Sequence, residues 1–416
     1  MVDTGVAGHL GSPIFLGAVV LGANLLSLLY FLFGFLRMVT GGLAAQAFGA
    51  DDMHSMSALL PRALAMAVLL GLLVIALIGV IEPIAARIFG IDGPLQAAFA
   101  EYIYIRVWGA PAALATFVLI GWTLGHQNSI VALWILLTTN GINAALDFVF
   151  VLGFGMGVDG IALATVAADY CGLVLGLVLV RRIWRQSGCR FLSWRELLDA
   201  AELLKLTIHN RDFFFRSLCL EAAFLSFMTM SARLGELPLA ANAIMFVFFS
   251  LSAYGLDGFA QATEAMVGKA IGAKARNDLS EAIRTGFCNG GLLSIGMTVM
   301  FVIGSWPIIC LLTDLSDVRA SAADLQIYIW LMPLVSVWAF ILDGVFFGAT
   351  RTRDLRNGMF LALLLFLAGC ALLVPPLGNH GLWIMMLSFL AARGIILAVI
   401  WRRIGPKIIQ LPIADS

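Results

Sequence analysis

Several carboxyl, amide and hydroxyl side chains of this sequence lie in long apolar segments, at spacings that place them on common helix faces. Asn143 and Asp147 are four residues apart, as are Thr165 and Asp169, and Asp3 is the acid of the first apolar segment. Residues four apart share one face of a helix. Because burial raises the pKa of a carboxyl group, these residues could bind and release a proton near neutral pH, or bind a small cation. The alternative is that they are structural polar groups hydrogen-bonded between helices, which suits Asp169 better than Asp147.

Ionisable residues recur throughout the apolar segments. Each charge at the centre of a membrane helix costs about 2.5–3.5 kcal/mol on insertion scales, and such residues usually face a cavity or a partner. The set is Asp3, Arg37, Asp147, Asp169, Arg216, Glu221, Asp257, Glu264, Asp343 and Arg393. These positions are therefore the first candidates for function.

The composition shows what kind of fold must position them. The chain has 416 residues, of which 61% are hydrophobic and 12% charged, with 25 basic and 25 acidic side chains. Soluble domains average about 45–50% apolar and about 25% charged residues. A cytoplasmic enzyme, a disordered protein and a nucleic-acid binder are excluded, which leaves an all-α polytopic membrane protein. The six cysteines and five histidines are scattered without metal-ligand spacing, so we expect no metal site and no cofactor.

Eleven segments are long and apolar enough to cross a membrane. They are residues 14–48, 58–81, 95–124, 129–152, 159–180, 206–231, 238–268, 285–312, 325–349, 357–375 and 380–401. One alternate set of connections (49–62, 125–128, 181–205, 269–284, 351–356 and the tail after 401) holds most of the Lys and Arg. The opposite set holds only Arg87, Arg233 and Arg319. The basic set is predicted to be cytoplasmic.

The chain matches itself at a shift of 222–224 residues. Leu10-Gly11 falls on Leu234-Gly235, Tyr30 on Tyr254, Gly34-Phe35 on Gly258-Phe259, Gly49-Ala50 on Gly272-Ala273, Pro111 on Pro333, and Gly121 and Gly125 on Gly344 and Gly348. Repeats of this kind are typical of transporters. We predict an N-terminal bundle at 1–184, a cytoplasmic linker at 185–205 and a C-terminal bundle at 206–416, related by a pseudo-twofold axis along the membrane normal.

The repeat also predicts that the first helix is incomplete. Residues 205–226 begin a full span before Phe227, which matches Asp3, whereas the first half has only Met1 and Val2 there. We expect about 20 further residues upstream of Met1, the length that a complete span would need. The intact architecture would then have six plus six spans. The glycine pairs Gly121/Gly125 and Gly344/Gly348 are predicted to permit close helix packing.

Arg37 is a candidate gate residue. Its repeat partner is Gln261, which lies about one helical turn from both Asp257 and Glu264. A pseudo-twofold axis could bring Arg37 near these acids, and an ion pair there would close the cytoplasmic side. The equal alternative is that Arg37 is solvated by the cavity or paired within its own half.

A double-mutant cycle tests this gate. If the pair exists, Arg37→Ala and Glu264→Ala should each reduce transport, and the double variant should lose less than the sum of the two losses, because the second change removes an interaction already broken. Transport rates of the four proteins in vesicles measure the coupling. Strictly additive losses would show that the two residues act independently.

The order of motifs along the chain resembles the multidrug and toxic compound extrusion (MATE) family, and most closely its DinF-like branch. The matching stretches are Val2-Asp3-Thr4, Gly8-His9-Leu10-Gly11-Ser12, Phe35-Leu36-Arg37-Met38, Ala45-Gln46-Ala47-Phe48-Gly49-Ala50, Asn143-Ala144-Ala145-Leu146-Asp147, Gly157-Val158-Asp159-Gly160-Ile161-Ala162, Ala253-Tyr254-Gly255-Leu256-Asp257-Gly258-Phe259, Glu264-Ala265-Met266-Val267-Gly268, Asp343-Gly344 and Gly348-Ala349-Thr350-Arg351. They cover nearly the whole chain, in order.

The resemblance implies a twelve-span fold of two six-helix bundles that alternates between outward- and inward-facing states. It implies antiport of organic cations or other amphipathic drugs and toxins against H⁺ or Na⁺. The first-helix coupling aspartate of the family falls on Asp3, its fifth-helix Asn-x-x-x-Asp pair on Asn143 and Asp147, and a sixth-helix threonine on Thr165. Glu221 falls near an acidic seventh-helix position that other branches use for cations.

We therefore expect a monomeric secondary transporter of the plasma or inner membrane, not an enzyme. The expected coupling ion is H⁺, with Na⁺ at Asp3 and Asp147 as the alternative. The nearest rival is a lipid-linked oligosaccharide flippase of the same superfamily; the excess of intramembrane acids favours cationic cargo. An intramembrane enzyme lacks a Ser–His pair or clustered histidines to support it, and the duplicated units disfavour a scaffold or receptor.

Overall fold

The computed structural model describes residues 2–8, 12–190 and 193–408, and every regular element in these ranges is helical. The first half contains α1 (Val2–Ala7), α2 (Pro13–Leu32), α3 (Phe35–Gly49), α4 (Met53–Phe89), α5 (Gly93–Arg106), α6 (Ala110–Gly125), α7 (Ser129–Asp147) and α8 (Val158–Gln186). The second contains α9 (Trp194–Leu197), α10 (Ala200–Arg233), α11 (Glu236–Gly272), α12 (Arg276–Leu312), α13 (Ser316–Asp324), α14 (Gln326–Gly348) and α15 (Thr352–Ile408). His9 and the repeat residues Leu10 and Gly11 lie outside the described residues.

Capping side chains mark where several helices begin. The Asp52 carboxylate accepts the backbone N–H of Ser55 at 3.0 Å, and the Asn128 amide oxygen accepts that of Val131 at 3.2 Å. These bonds satisfy N–H groups that have no partner in the first turn of a helix. At the other end of α4, Gly90 adopts a left-handed conformation that stops the helix.

Ten helical segments of the described chain are long and apolar enough to cross a membrane. Each matches a predicted segment except the last, α15, which contains both the 357–375 and the 380–401 segment. Its backbone leaves helical geometry at Gly378, with φ 55° and ψ −130°. Only glycine takes up such a conformation readily. The break therefore separates α15 into two consecutive segments, as the sequence predicts.

Many large apolar side chains of the long helices point outward. Leu69, Ile88, Ile303 and Leu311 are each more than 65% exposed. On a soluble protein this surface would drive aggregation, whereas in a bilayer it contacts acyl chains. The outward-facing apolar surface therefore agrees with the multi-pass membrane architecture.

Internal contacts divide the chain into two compact units. The first comprises residues up to Ala44 together with Asp52–Leu204, and the second comprises Ala45–Asp51 together with the residues from Lys205 on. Buried apolar residues of α2, α4, α5 and α8 form a core of the first unit. In the second unit, the large buried core contains the aromatic side chains Phe227, Phe248, Phe301, Trp383 and Phe389.

Glycines at repeat-related positions let helices meet backbone to backbone inside each unit. A Cβ on Gly121 of α6 would strike the carbonyl of Arg37 on α3, and a Cβ on Gly344 of α14 would strike that of Ala260 on α11. Gly348, one turn after Gly344, faces α11 in the same way. The close packing predicted for Gly121, Gly344 and Gly348 is therefore present, and at the first two it recurs in the same place in both halves.

The end of α3 belongs to the second unit, where it makes a reciprocal contact. Gly49 lies against the backbone of Lys269, while Gly272 lies against the backbone of Gln46. Gly49 and Gly272 are repeat partners, and so are Gln46 and Lys269 at the same shift of 223. The Gln46 amide also donates to the carbonyl of Gly348 at 2.8 Å. A segment from the first half is thus fixed to the second unit by both packing and hydrogen bonding.

A glycine-to-alanine pair tests the close contacts. Gly344→Ala should destabilise the protein by about 1–3 kcal/mol, because the new methyl group cannot fit against the Ala260 backbone. Gly296→Ala on α12 is the matched control, since no atom lies within 4 Å of its added Cβ. It should be neutral or slightly stabilising. Thermal unfolding followed by tryptophan fluorescence compares the two, and equal melting temperatures would contradict the packing role of Gly344.

Candidate functional site

Three helices of the first unit bring together the predicted coupling residues. Asp3 lies on α1, Asn143 and Asp147 on α7, and Thr165 on α8. The Thr165 hydroxyl oxygen lies 3.2 Å from Asp3 Oδ2, and the Asn143 side-chain amide donates to the same hydroxyl at 3.1 Å. Asp3, Asn143 and Thr165 therefore form one hydrogen-bonded chain across three elements.

Thr165 can serve either protonation state of Asp3. Its hydroxyl oxygen also lies 3.0 Å from the carbonyl of Ile161. When Asp3 is ionised, the hydroxyl proton can point to Asp3. When Asp3 is protonated, Asp3 can donate to the hydroxyl oxygen, which turns its own proton to Ile161. A hydroxyl is both donor and acceptor, so neither state leaves this bond unmade.

Asp147 is the most enclosed acid of the site. The residue is fully buried, and neither carboxyl oxygen accepts a hydrogen bond from an amide, hydroxyl or cationic group among the described residues. Asp3 is the charged side chain that acts on it most strongly. Buried polar groups are almost always bonded, and two adjacent carboxylates repel each other. The arrangement therefore favours a proton held by the pair, or a small cation bound between the two carboxyl groups.

The chain around Asp147 departs from regular α-helix. α7 ends at Asp147, and the next residues, Phe148–Gly153, form a wider π-helical turn. Single π-turns inside helices occur often at functional sites. The local backbone thus places Asp147 at a junction rather than in the middle of a uniform helix.

A buried ion pair lies one helical turn from Thr165. Asp169 Oδ2 is 2.8 Å from Nη1 of Arg106 on α5, and both side chains are nearly buried. The Arg106 guanidinium also lies 5.8 Å from the centre of the Tyr30 ring. Gly109 leaves the space for the pair, since a Cβ there would clash with both partners. Asp169 is therefore a paired structural acid.

Arg106 is the site residue that sequence reasoning missed. It is a charge within the predicted 95–124 segment, which was signal enough to mark it, but its distance in sequence from Asp169 hid the pairing. Electrostatic interactions connect Arg106 to Asp3 as well as to Asp169. Arg106 is thus a cation that interacts with two of the acids of this site, Asp169 and Asp3.

The remaining predicted residues lie on other helices. Asp257 on α11 accepts a hydrogen bond from Gln261 at 2.7 Å, and Glu264 on the same helix is buried. Glu221 is half-buried on α10. Arg37 lies on α3, where its backbone contacts Gly121. Because Arg37 and Glu264 belong to different units, their gate pair stays a prediction.

Three other intramembrane charges are paired in the second unit. Arg216 of α10 and Arg393 of α15 both donate to Oδ2 of Asp343 on α14, the Arg393 bond measuring 2.8 Å. All three residues are buried. The sequence identifies each as a costly charge but gives no indication that the three meet.

The fold and site together define a class of protein. Both helical units are built from long apolar helices, contain buried carboxyl groups, and share close helix contacts at repeat-related glycines. Within the described residues, no group of three or more His, Cys, Asp or Glu could hold a metal ion. The buried carboxyls and the repeat-related units are features of a polytopic membrane transporter.

Comparison with known proteins gives the family. The family model MatE matches residues 1–149 and 213–372, so the chain belongs to the MatE family. It is 39% identical over 406 residues to the DNA damage-inducible protein F of Escherichia coli, covering 97% of this chain and 87% of that protein. It is 25% identical over 429 residues to the probable multidrug resistance protein NorM of Rhizobium meliloti, covering 96% and 87%.

Solved structures support the same fold. A MOP superfamily transporter from Pyrococcus furiosus aligns with a TM-score of 0.85 at 19% identity, covering 99% of this chain and 92% of that one. A multidrug resistance MATE family transporter in an outward-facing conformation aligns with a TM-score of 0.86 at 18% identity and the same coverage. The predicted family, DinF-like branch and all-helical membrane fold are confirmed. The chain is a multi-pass membrane protein, of the inner membrane in bacteria.

Substitution of the buried ion pair measures its role. Arg106→Gln should cost about 3–5 kcal/mol of stability, because it leaves the Asp169 carboxylate buried without a counter-charge. The double variant Arg106→Gln/Asp169→Asn should lose clearly less than the sum of the two single losses. The free energy of unfolding in mixed micelles gives the comparison.

The matched control is Asp314→Asn in the Arg319–Asp314 pair, because the Asp314 side chain is fully exposed. A surface pair contributes about 0–1 kcal/mol. If Arg106→Gln costs no more than this control, the Arg106–Asp169 pair does not stabilise the unit.

Proposed function

We propose that this MatE-family transporter is a proton-coupled efflux antiporter, which exports organic cations and other amphipathic drugs or toxins by alternating access. The observation that carries the proposal is the hydrogen-bonded chain of Asp3, Thr165 and Asn143. The buried Asp147 lies one helical turn from Asn143 and interacts electrostatically with Asp3. Two carboxyls that share one enclosed site can change their charge by one proton without breaking the Thr165 connection.

In this mechanism the two carboxyls exchange protons for cargo. A proton arriving from outside binds Asp3, assisted by Asp147 and Asn143, and Thr165 turns its hydroxyl to accept from Asp3. Because protonation removes the charge of Asp3, it changes how α1 packs against α7 and α8. This change releases the cargo outward. Because coupling between two ligands is reciprocal, cargo binding must weaken proton binding by the same factor.

Cationic cargo fits the charge balance of the first unit. Among the described side chains whose charges interact at this site, the three acids Asp3, Asp147 and Asp169 face one arginine, Arg106. A site with more acids than bases attracts organic cations and repels anions. The names of the relatives, which include probable multidrug resistance proteins, are consistent with this cargo. They give no support to the flippase alternative.

Sodium is the second candidate for the coupling ion. The oxygens of Asp3, Asp147, Asn143 and Thr165 are the ligand type that hard cations prefer. The buried carboxyl oxygens of Asp147 could bind Na⁺ as well as a proton.

In this proposal the protein acts as a monomer, because each chain contains its own complete site.

Neutralising Asp3 tests the proposal. Wild-type protein in proteoliposomes should transport ethidium when a pH gradient is imposed, and Asp3→Asn should reduce this transport to the level of empty vesicles, since an amide cannot carry the coupling proton. Asp92→Asn is the matched control, because Asp92 is exposed at the start of α5. It should transport at the wild-type rate.

The same vesicles distinguish the coupling ions. Transport driven by a Na⁺ gradient alone, at equal pH on both sides, would replace H⁺ with Na⁺ in the proposal. Undiminished pH-driven transport by Asp3→Asn would remove Asp3 from the mechanism.

A further inference from the structure

A buried cluster in the second unit, the triad of Arg216, Arg393 and Asp343, contains two positive charges and one negative charge. The guanidinium groups of Arg216 and Arg393 converge on the carboxylate of Asp343, and the three residues are 4–5% exposed. Asp343 attracts the Arg393 guanidinium and Arg216 repels it. Asp212, one turn before Arg216, is instead engaged by Arg211 and Arg356. The triad therefore has a net charge of +1.

The arginines of the triad also offer more hydrogen-bond donors than Asp343 accepts. Both arginines donate through Nη2 to the same oxygen, Oδ2 of Asp343. The Nε of each arginine is buried and has no hydrogen-bond partner in the described part of the chain. Two charge-assisted donors thus remain unused in the interior of the unit, where an unmet donor is costly.

Neither deprotonation nor the aromatic surroundings removes this charge. An arginine keeps its proton at any physiological pH, so the triad cannot become neutral as a lysine cluster could. Phe213 and Phe347 lie 5.2 and 5.1 Å from the Arg216 guanidinium, and Phe389 lies 5.7 Å from that of Arg393. Their faces stabilise a cation, but they cannot accept the in-plane Nε–H groups as a counter-charge would.

We propose that Arg216 and Arg393 bind one small anion through their free Nε–H groups, either a halide ion or a carboxylate group. The anion completes the charge of the triad and connects α10 with α15 beside the Asp343 contact to α14. Guanidinium groups are the usual ligands for such anions, because their planar donors suit a halide or a carboxylate oxygen. The site does not depend on the proton coupling proposed for the first unit.

Thermal unfolding of the full chain in detergent detects this anion. The melting temperature is measured by tryptophan fluorescence while chloride or acetate replaces the bulky sulfonate MES at constant ionic strength. A ligand that binds the folded state alone raises the melting temperature in a saturable way. Chloride acting alone would identify a halide site, and acetate acting alone a carboxylate site. A wild-type melting temperature that is the same in all three anions would overturn the proposal, and would mean that water meets the Nε–H groups.

Two variants place the anion at the triad. Arg393→Gln should weaken the anion response by about tenfold or more, since it removes one of two charged donors. Asp343→Asn keeps both donors and removes the competing carboxylate, so it should strengthen the response; this variant decides the matter if Arg393→Gln does not fold. Arg233→Gln is the matched control at an exposed arginine of α10 and should respond as wild type.

Wild-type crystals soaked in bromide supply a measurement that needs no variant. An anomalous peak within hydrogen-bond distance of Nε of Arg216 and Arg393 is the expected result. A bromide response in solution with its peak elsewhere, or an unchanged response in both Arg393→Gln and Asp343→Asn, would show that the triad is not the site.

Discussion

Charge in an apolar interior is the constraint on which the rest of this structure depends. A carboxylate or guanidinium group removed from water is stable only beside a partner, and the penalty for an isolated one is several kcal/mol. Arg106 meets Asp169 in the first unit, and Arg216 and Arg393 meet Asp343 in the second. Asp147 is an exception, since its buried carboxyl group has no cationic partner in the described residues. An exception to so strict a rule is where a mobile ion is expected to act.

The two units meet this constraint in opposite ways. In the cluster around Thr165 of the first unit, the three acids Asp3, Asp147 and Asp169 outnumber one described arginine, Arg106, and protons that bind and leave can make up the difference. In the triad of the second unit, the permanent charge of two arginines exceeds that of Asp343, and protons cannot correct it. The two repeat-related units thus share helix contacts but differ in the sign of the charge that their buried clusters leave unbalanced. The shared contacts use the same device, a glycine at each of two equivalent positions that lets a helix rest on a neighbouring backbone.

The sequence predicts the fold well because the relevant signals are local. Apolar segments long enough to span a bilayer appear as runs in the chain, and ten helices of the described residues coincide with them. The glycines of the repeat indicate close packing because only glycine permits it. The grouping of Asp3 with Asn143 and Asp147 is predicted from residue types and spacing and again from the family resemblance. In the structure, Asp3 and Asn143 both bond to the Thr165 hydroxyl.

Pairings between distant helices were not accessible in the same way. Nothing in the sequence connects Arg106 with Asp169, or Arg216 with Arg393, since no periodicity spans such separations. Each residue is recognisable as a costly charge, but its partner is set by how the helices rotate and cross. The assignment of residues 45–51 to the second unit was hidden for a related reason. It depends on contacts made by Gly49 and Gln46 rather than on any break in the helical pattern.

That assignment has a consequence for any attempt to divide the molecule. The obvious place to cut the gene is between Gln186 and Ala200, where α8 and α10 are separated by a short connection. A C-terminal fragment begun there would lack the seven residues that fill the groove beside Lys269 and Gly272. Its α11 would lack these packing contacts until the N-terminal fragment, made in the same membrane, supplied the end of α3.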